Sequence, residues 1–225
     1  MSVVFFRLSR KNQRISHRNV ELIKEQNHRV KNNLQVVSSL LSLQAKRLTD
    51  EAAKKAVEES RLRVQSMAII HRKLYDGDKL AVVNLDEFIQ ELVNGVLKSF
   101  GYPFATVQYA IDTNSLSADK AIPLGLILNE LITNACKYAF PQNENPHLTV
   151  RCYAQHAKLY LQVTDNGPGL EVPVIQTDDL YDPQTKSFGM SLIQAQVMQL
   201  NGTYQFSSAD KTESTGTTFT MEFKL

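Results

Sequence analysis

The chain has 225 residues, 43% hydrophobic and 21% charged, which is ordinary for a soluble globular protein and enough for one large domain or two small ones. A formal net charge of +2 provides no general attraction to nucleic acid. The two cysteines, Cys136 and Cys152, show no paired-motif spacing, which argues against a disulfide scaffold or a cysteine-based zinc site, and no stretch reaches the roughly 18 apolar residues of a membrane span.

A short apolar run, residues 3–6, is followed by Arg7, Arg10, Lys11, Arg14 and Arg18. That order fits the cytoplasmic exit of a membrane helix, but four apolar residues alone favour the frayed start of an amphipathic helix, and the two coexist if the chain is part of a longer membrane protein. Residues 1–14 are therefore expected to be a membrane-proximal segment or linker. On the first alternative the rest of the chain lies at the inner face of the cell membrane, behind an N-terminal membrane segment.

Residues 15–48 contain no Gly or Pro, and apolar residues recur at Ile23, Val30, Leu34, Val37, Leu41 and Leu48. These steps mark a helix with a heptad seam, whose two remaining positions are filled by Asn27 and Gln44. Thr49 or Asp50 then caps a second helix with an acidic first turn. Its seam runs through Val57, Ser60, Val64, Met67, His71 and Leu74 and ends at the turn residues Asp76–Gly77–Asp78. Residues 15–76 are thus expected to form an antiparallel hairpin. Each seam is too wide for one partner, so two hairpins should join in a homodimeric four-helix bundle.

Beyond residue 80 the pattern changes. Residues 84–100 read as an amphipathic helix, 105–111 as a strand, and 120–140 as a long apolar helix with a polar insert. Two strands at 147–155 and from 158 form a hairpin turning near His156, and 167–187 reads as a loop. A helix opened by Phe188 and ended by Asn201-Gly202 leads into two closing strands. Residues 84–225 are therefore α+β, a mostly antiparallel sheet with helices on one face.

Three polar islands in this half are not required by its fold and are candidates to carry chemistry, each ambiguous taken singly. In "NELITNACKY", Glu130, Asn134 and Lys137 follow at i, i+4 and i+7, on one face of a helix. An Asn and a Glu one turn apart can hold hydrated Mg²⁺ through oxygen, since magnesium keeps several waters and needs few protein ligands. The alternative is a solvated stripe, but the apolar flanks favour a cavity. In "VTDNGPGL", a strand ends at Asp165, whose carboxylate can accept from an exocyclic amine, while Gly167 and Gly169 permit close backbone approach. A plain turn is the competing reading. In "KSFGMSL", Gly189 opens a helix whose free N–H groups suit a phosphate, and Gly216-Thr217 starts the last strand.

The order of these islands closely resembles the ATP-binding domain shared by gyrase, histidine kinases and related proteins, the GHKL superfamily, whose fold is an α/β sandwich. "NELITNACKY" resembles its N box, "DNGPG" its G1 box, "FGMSL" its G2 box and "GTTF" its final Gly-Thr motif, with the ATP lid between G1 and G2. "HRVKNNLQVVSSLLSLQA" in turn resembles the dimerisation and phosphoacceptor helix of sensor histidine kinases, in the subgroup marked by His-Arg-Val-Lys-Asn-Asn and related to the HWE kinases. The resemblance implies autophosphorylation of His28 by ATP and transfer of the phosphoryl group to an aspartate of a response regulator. It implies Mg²⁺ at Asn134, assistance by Glu130, adenine recognition by Asp165, and further nucleotide contacts from Lys137, Tyr138, Gly167, Gly169, Gly189 and Thr217. Two positions depart from the pattern: Asn27 stands where many members carry a second histidine, and Gly189 is the only glycine of the G2 box.

The heptad supports His28 independently. It lies one residue past Asn27, about 100° off the seam, and its heptad mates Glu21, Gln35 and Ser42 are polar. His28 is thus expected on the exposed flank. Arg29 and Lys31 should favour the neutral imidazole that phosphorylation at nitrogen needs. Glu25, one turn back, is the candidate to orient that ring. A related ATPase or serine-directed kinase on the same fold, and a degenerate kinase acting as a dimerising scaffold, are the alternatives.

Overall fold

The computed structural model describes residues 2–75, 82–113, 115–170, 174–176, 188–208 and 216–225. Side chains are described for these except at 2–17, 19, 20, 23, 24, 27, 28, 66, 69–75, 174–176 and 188. The chain divides into two compact units, Met1–Leu80 and Ala81–Leu225.

The first unit is a hairpin of two long helices, α1 (Ser2–Arg47) and α2 (Glu51–Tyr75). No break separates residues 2–14 from the rest of α1. Between Thr49 and Asp50 it is Asp50 that caps α2, its carboxylate accepting from the Ala53 N–H at 2.7 Å. On α1, Leu34, Ser38, Leu41 and Ala45 are among the less exposed positions, in steps of 4 and 3, and Leu48 just past its end continues them. Beside them Val36, Val37, Leu40 and Leu43 stand 43–58% exposed. The seam expected from the sequence is therefore two adjacent stripes, and Val37 belongs to the exposed one. Among the described residues, no helix is long and apolar enough to cross a membrane.

The second unit opens with β1 (Val82–Asn84) and α3 (Leu85–Ser99). The Asn84 side chain caps α3, accepting from the N–H groups of Asp86 at 3.1 Å and Glu87 at 3.3 Å. Helical spacing of Leu85, Phe88, Ile89, Leu92, Val93, Val96 and Leu97 buries one face of α3. There follow β2 (Thr106–Ile111), β3 (Ser115–Ser117) and α4 (Ala118–Asn134), which passes into a π-helical turn at Ala135–Ala139. The remaining elements are β4 (His147–Gln155), β5 (Lys158–Asp165), β6 (Val174–Gln176), α5 (Phe188–Gln199), β7 (Thr203–Ser208) and β8 (Thr217–Lys224).

Six strands form one sheet in the order β2-β4-β5-β8-β7-β6. The β2–β4 pair is parallel and the other four are antiparallel. β1 and β3 make a separate antiparallel pair. Alternate residues on the covered face are buried: Leu148, Val150 and Cys152 on β4, Leu159, Leu161 and Val163 on β5, Phe219, Met221 and Phe223 on β8. Register places Val150 opposite Val163, and Val163 opposite Phe219. A one-residue slip would turn this apolar set to the other face, losing roughly 1.5–3 kcal/mol for each large side chain so exposed. The β4–β5 turn lies at His156 and Ala157, both with left-handed backbone (φ 50° and 58°), which matches strand twist in a two-residue hairpin. These elements form the α+β sandwich expected for this half, with β6 inside the segment expected to be loop.

Candidate active site

The end of α4, the ends of β5 and β7, and the start of β8 enclose a cavity of about 400 Å³. Its walls are mostly apolar and include Leu131, Ala135, Leu148, Val163, Leu170, Met190, Phe206 and Phe219. The polar groups that line it are Asn134, Tyr138, Asp165 and Thr217. An apolar cleft with a few convergent polar groups is the usual form of a small-molecule site.

Asp165 is the best-defined of these groups. It is the last residue of β5, and its Oδ1 accepts from the Gly167 N–H at 2.9 Å and the Thr217 N–H at 3.2 Å. Both donors converge on one oxygen, and Oδ2 has no protein donor among the described residues. Burial pushes the carboxyl above the usual carboxylate range, and the two backbone donors partly offset this. The loop after it is tightly built. A Cβ on Gly167 would strike the Cβ of Ala139 and lie 2.6 Å from its Cα, so glycine allows the loop to close against the π-helical turn.

That turn alters the face expected of the "NELITNACKY" helix. The Phe140 N–H bonds the Ala135 carbonyl, five residues back, at 3.0 Å, so the α-helical period stops at Asn134. Asn134 and Tyr138 line the cavity, and Tyr138 is 70% exposed. Lys137, expected on the same face, is outside the lining because the wider turn carries it away. Glu130 is fully buried one turn before Asn134 and is also outside the lining. Beside it, Asn129 is 1% exposed; its Nδ2 lies 3.5 Å from a Glu130 oxygen and its Oδ1 has no partner among the described residues.

The cavity thus brings together Asn134, Tyr138, Asp165, Gly169 and Thr217. Gly189 is buried at the start of α5 and does not line it, whereas its neighbour Met190 does. Gly167 contributes through its N–H group. His28 and Glu25 belong to the other unit, on α1. Glu25 is exposed and pairs with Arg29, whose Nη2 is 2.6 Å and Nε 3.1 Å from Oε1. The His28 side chain, like that of His71, lies outside the described set.

Sequence reasoning missed Asn166, which ties the site to the start of β4. Its Oδ1 accepts from the His147 N–H at 2.9 Å, its Nδ2 donates to the Asn145 carbonyl at 2.9 Å, and its own carbonyl accepts from Asn143 Nδ2 at 3.0 Å. It also missed the apolar walls, since Leu148, Val163, Phe206 and Phe219 read as ordinary core positions. Inward alternation at strand ends was the one available signal.

The donor chemistry bears on a metal. Among the described residues there is no cluster of three or more His, Cys, Asp or Glu side chains that could hold one. Oxygen donors at Asn134 and Glu130, with the orphaned buried Asn129 Oδ1 nearby, fit a hard cation that keeps most of its waters.

Two family models match the chain. One, described as histidine kinase, covers residues 25–100, and the other, described as histidine kinase-, DNA gyrase B- and HSP90-like ATPase, covers 119–225. The sensor histidine kinase PdtaS of Mycolicibacterium smegmatis is 35% identical over 156 residues, 67% of this chain and 30% of the relative. PdtaS of Mycobacterium tuberculosis is 36% identical over 154 residues, 66% of this chain and 30% of the relative. The matched part therefore spans about 30% of the length of these curated relatives. Among solved structures, the Erythrobacter litoralis EL346 blue-light activated histidine kinase aligns with a TM-score of 0.64 at 17% identity, over 89% of this chain and 59% of that one. A structure of its histidine kinase domain aligns at 0.59 and 18% identity, over 84% and 95%. These likenesses show the shared fold, and the second family model implies ATP binding. With the two matches in this order along its length, the chain belongs to the histidine kinases.

Proposed function

We propose that the chain is the core of a two-component sensor histidine kinase that phosphorylates His28 with ATP and passes the phosphoryl group to an aspartate of a response-regulator receiver domain. The observation that carries this reading is Asp165: a carboxylate with one oxygen held by two backbone donors and the other without a protein donor, at the edge of an apolar cavity. Such a group accepts from the exocyclic amine of adenine while the walls cover the ring faces. Tyr138 and Asn134 stand at the same cavity for the ribose and phosphates. On the same reading Lys137 and the first N–H groups of α5, beside Gly189, would meet the phosphates from outside the cavity lining.

In the reaction, a neutral His28 nitrogen attacks the γ-phosphorus, the N–P bond forms and the bond to the ADP oxygen breaks. Asn134 and Glu130 would hold Mg²⁺, which offsets charge on the phosphates when bound. On this reading Arg29 and Lys31 would favour the neutral imidazole, and Glu25, which pairs with Arg29 at 2.6 Å, would orient it. The subgroup is the His-Arg-Val-Lys-Asn-Asn type related to the HWE kinases. A homodimer is supported by the exposed apolar stripe of Val36, Leu40 and Leu43. Anchoring at the inner face of a membrane belongs to the same reading, and cell fractionation tests it.

The decisive experiment is labelling with γ-³²P-ATP. Acid-labile, base-stable label should form on the wild type and be absent from His28→Ala and from Asn134→Ala, with both variants folded. Wild-type levels of label on His28→Ala would remove the phosphoacceptor assignment.

A further inference from the structure

Ser208 ends β7 and pairs in register with Thr217, the first residue of β8. Its hydroxyl accepts from the Leu170 N–H at 3.2 Å and donates to the Gly216 carbonyl at 3.2 Å. These two partners belong to the segments that build the Asp165 end of the cavity. Gly169 and Leu170 line it from the loop after β5, and Thr217 lines it from β8. The same segments supply the two N–H groups on Asp165 Oδ1, Gly167 from the first and Thr217 from the second. The loop lies directly on the hydroxyl: Gly169 has φ 82°, and a Cβ there would strike Ser208 Oγ.

We propose that Ser208 is a positioning residue for purine selectivity. By pinning Leu170 and Gly216 at one point, it holds the Gly167 and Thr217 donors in place, and these fix which way Asp165 Oδ2 points. Oδ2 then meets an amine at purine C6 and repels a carbonyl there. The inference rests on the reading of Asp165 as the adenine acceptor. It goes further in assigning the aim of that carboxylate to a side chain that does not touch the ligand.

The test compares Mg·ADP with Mg·IDP, in which a carbonyl replaces the amine, by calorimetric titration of the whole chain. The wild type should bind ADP more tightly than IDP. Ser208→Ala removes two neutral hydrogen bonds and should weaken ADP by about tenfold while leaving IDP nearly unchanged, so that the ratio narrows. Ser208→Thr keeps the hydroxyl and should retain the wild-type ratio, and it also serves if the alanine variant folds poorly. A pin with only a structural role would weaken both nucleotides in parallel. That result, or an unchanged ratio in Ser208→Ala, overturns the proposal. A wild type that does not separate ADP from IDP overturns the Asp165 reading, and the inference falls with it.

Discussion

Replacing Asp165 by asparagine separates two effects that the wild-type carboxylate combines. Burial raises its carboxyl above the usual range, against the pull of the Gly167 and Thr217 N–H groups, so the folded chain holds the proton more tightly than the unfolded chain does. The contribution to stability is therefore full below the unfolded pKa of about 4 and is lost as pH rises through the raised folded value. At neutral pH the buried charge is a cost to the fold. Asparagine removes the charge, and its Oδ1 can still accept both backbone bonds. Asp165→Asn should thus melt no lower than wild type at pH 7.5, with any gain vanishing toward pH 4. The second effect has the opposite sign. The amide can present an NH₂ group to the adenine amine where Oδ2 accepted from it, and a hydrogen bond to a charged acceptor is worth about 2 kcal/mol, or roughly thirtyfold in Kd. Calorimetric titration with Mg·ADP and thermal melts between pH 4 and 8 measure both quantities. A variant that melts lower at pH 7.5 and binds ADP as wild type does would refute the account of this residue.

Other substitutions test the framework around the site. Gly167→Ala places a methyl against Ala139 and should cost about 1–3 kcal/mol, read as a fall of about 5 °C in Tm with weaker ADP binding. Asn84→Ala removes the α3 cap far along the chain from the cavity residues; about 1 kcal/mol of stability should go while the Kd for ADP stays the same. Cys136 and Cys152 are buried with thiols pushed up to about 12, so a thiol reagent at pH 8 should modify neither in the native protein and both in denaturant. Glu25→Gln should slow labelling of His28, and an unchanged rate would remove its orienting role.

Much of this molecule was legible because its patterns are long. Seam positions such as Val30, Leu34 and Leu41 marked α1, and β4 occupies the residues whose alternation announced it. Strands of three residues, β1, β3 and β6, carry too few positions to show a period, and they went unread. Of the candidate residues, Asp165, Gly169 and Asn134 stood out by type and order, Tyr138 and Thr217 came with the family resemblance, and all five line one cavity. Glu130 and Lys137 are not among the residues lining it: Glu130 is fully buried in the regular part of α4, and Lys137 lies within the π-helical turn, where a face computed at 3.6 residues per turn no longer holds.

What the sequence determined by itself was therefore the local and the periodic: two heptad helices, an alternating sheet, and the polar residues that an apolar pattern does not require. Tertiary structure alone decided which oxygen of Asp165 is held, and which apolar side chains form walls rather than core. It alone revealed that Ser208 and Asn166 tie distant segments together. The physical reason is that periodicity encodes burial along one element. A hydrogen bond between Ser208 and Leu170 joins residues 38 apart, and it exists only once packing has brought their segments together.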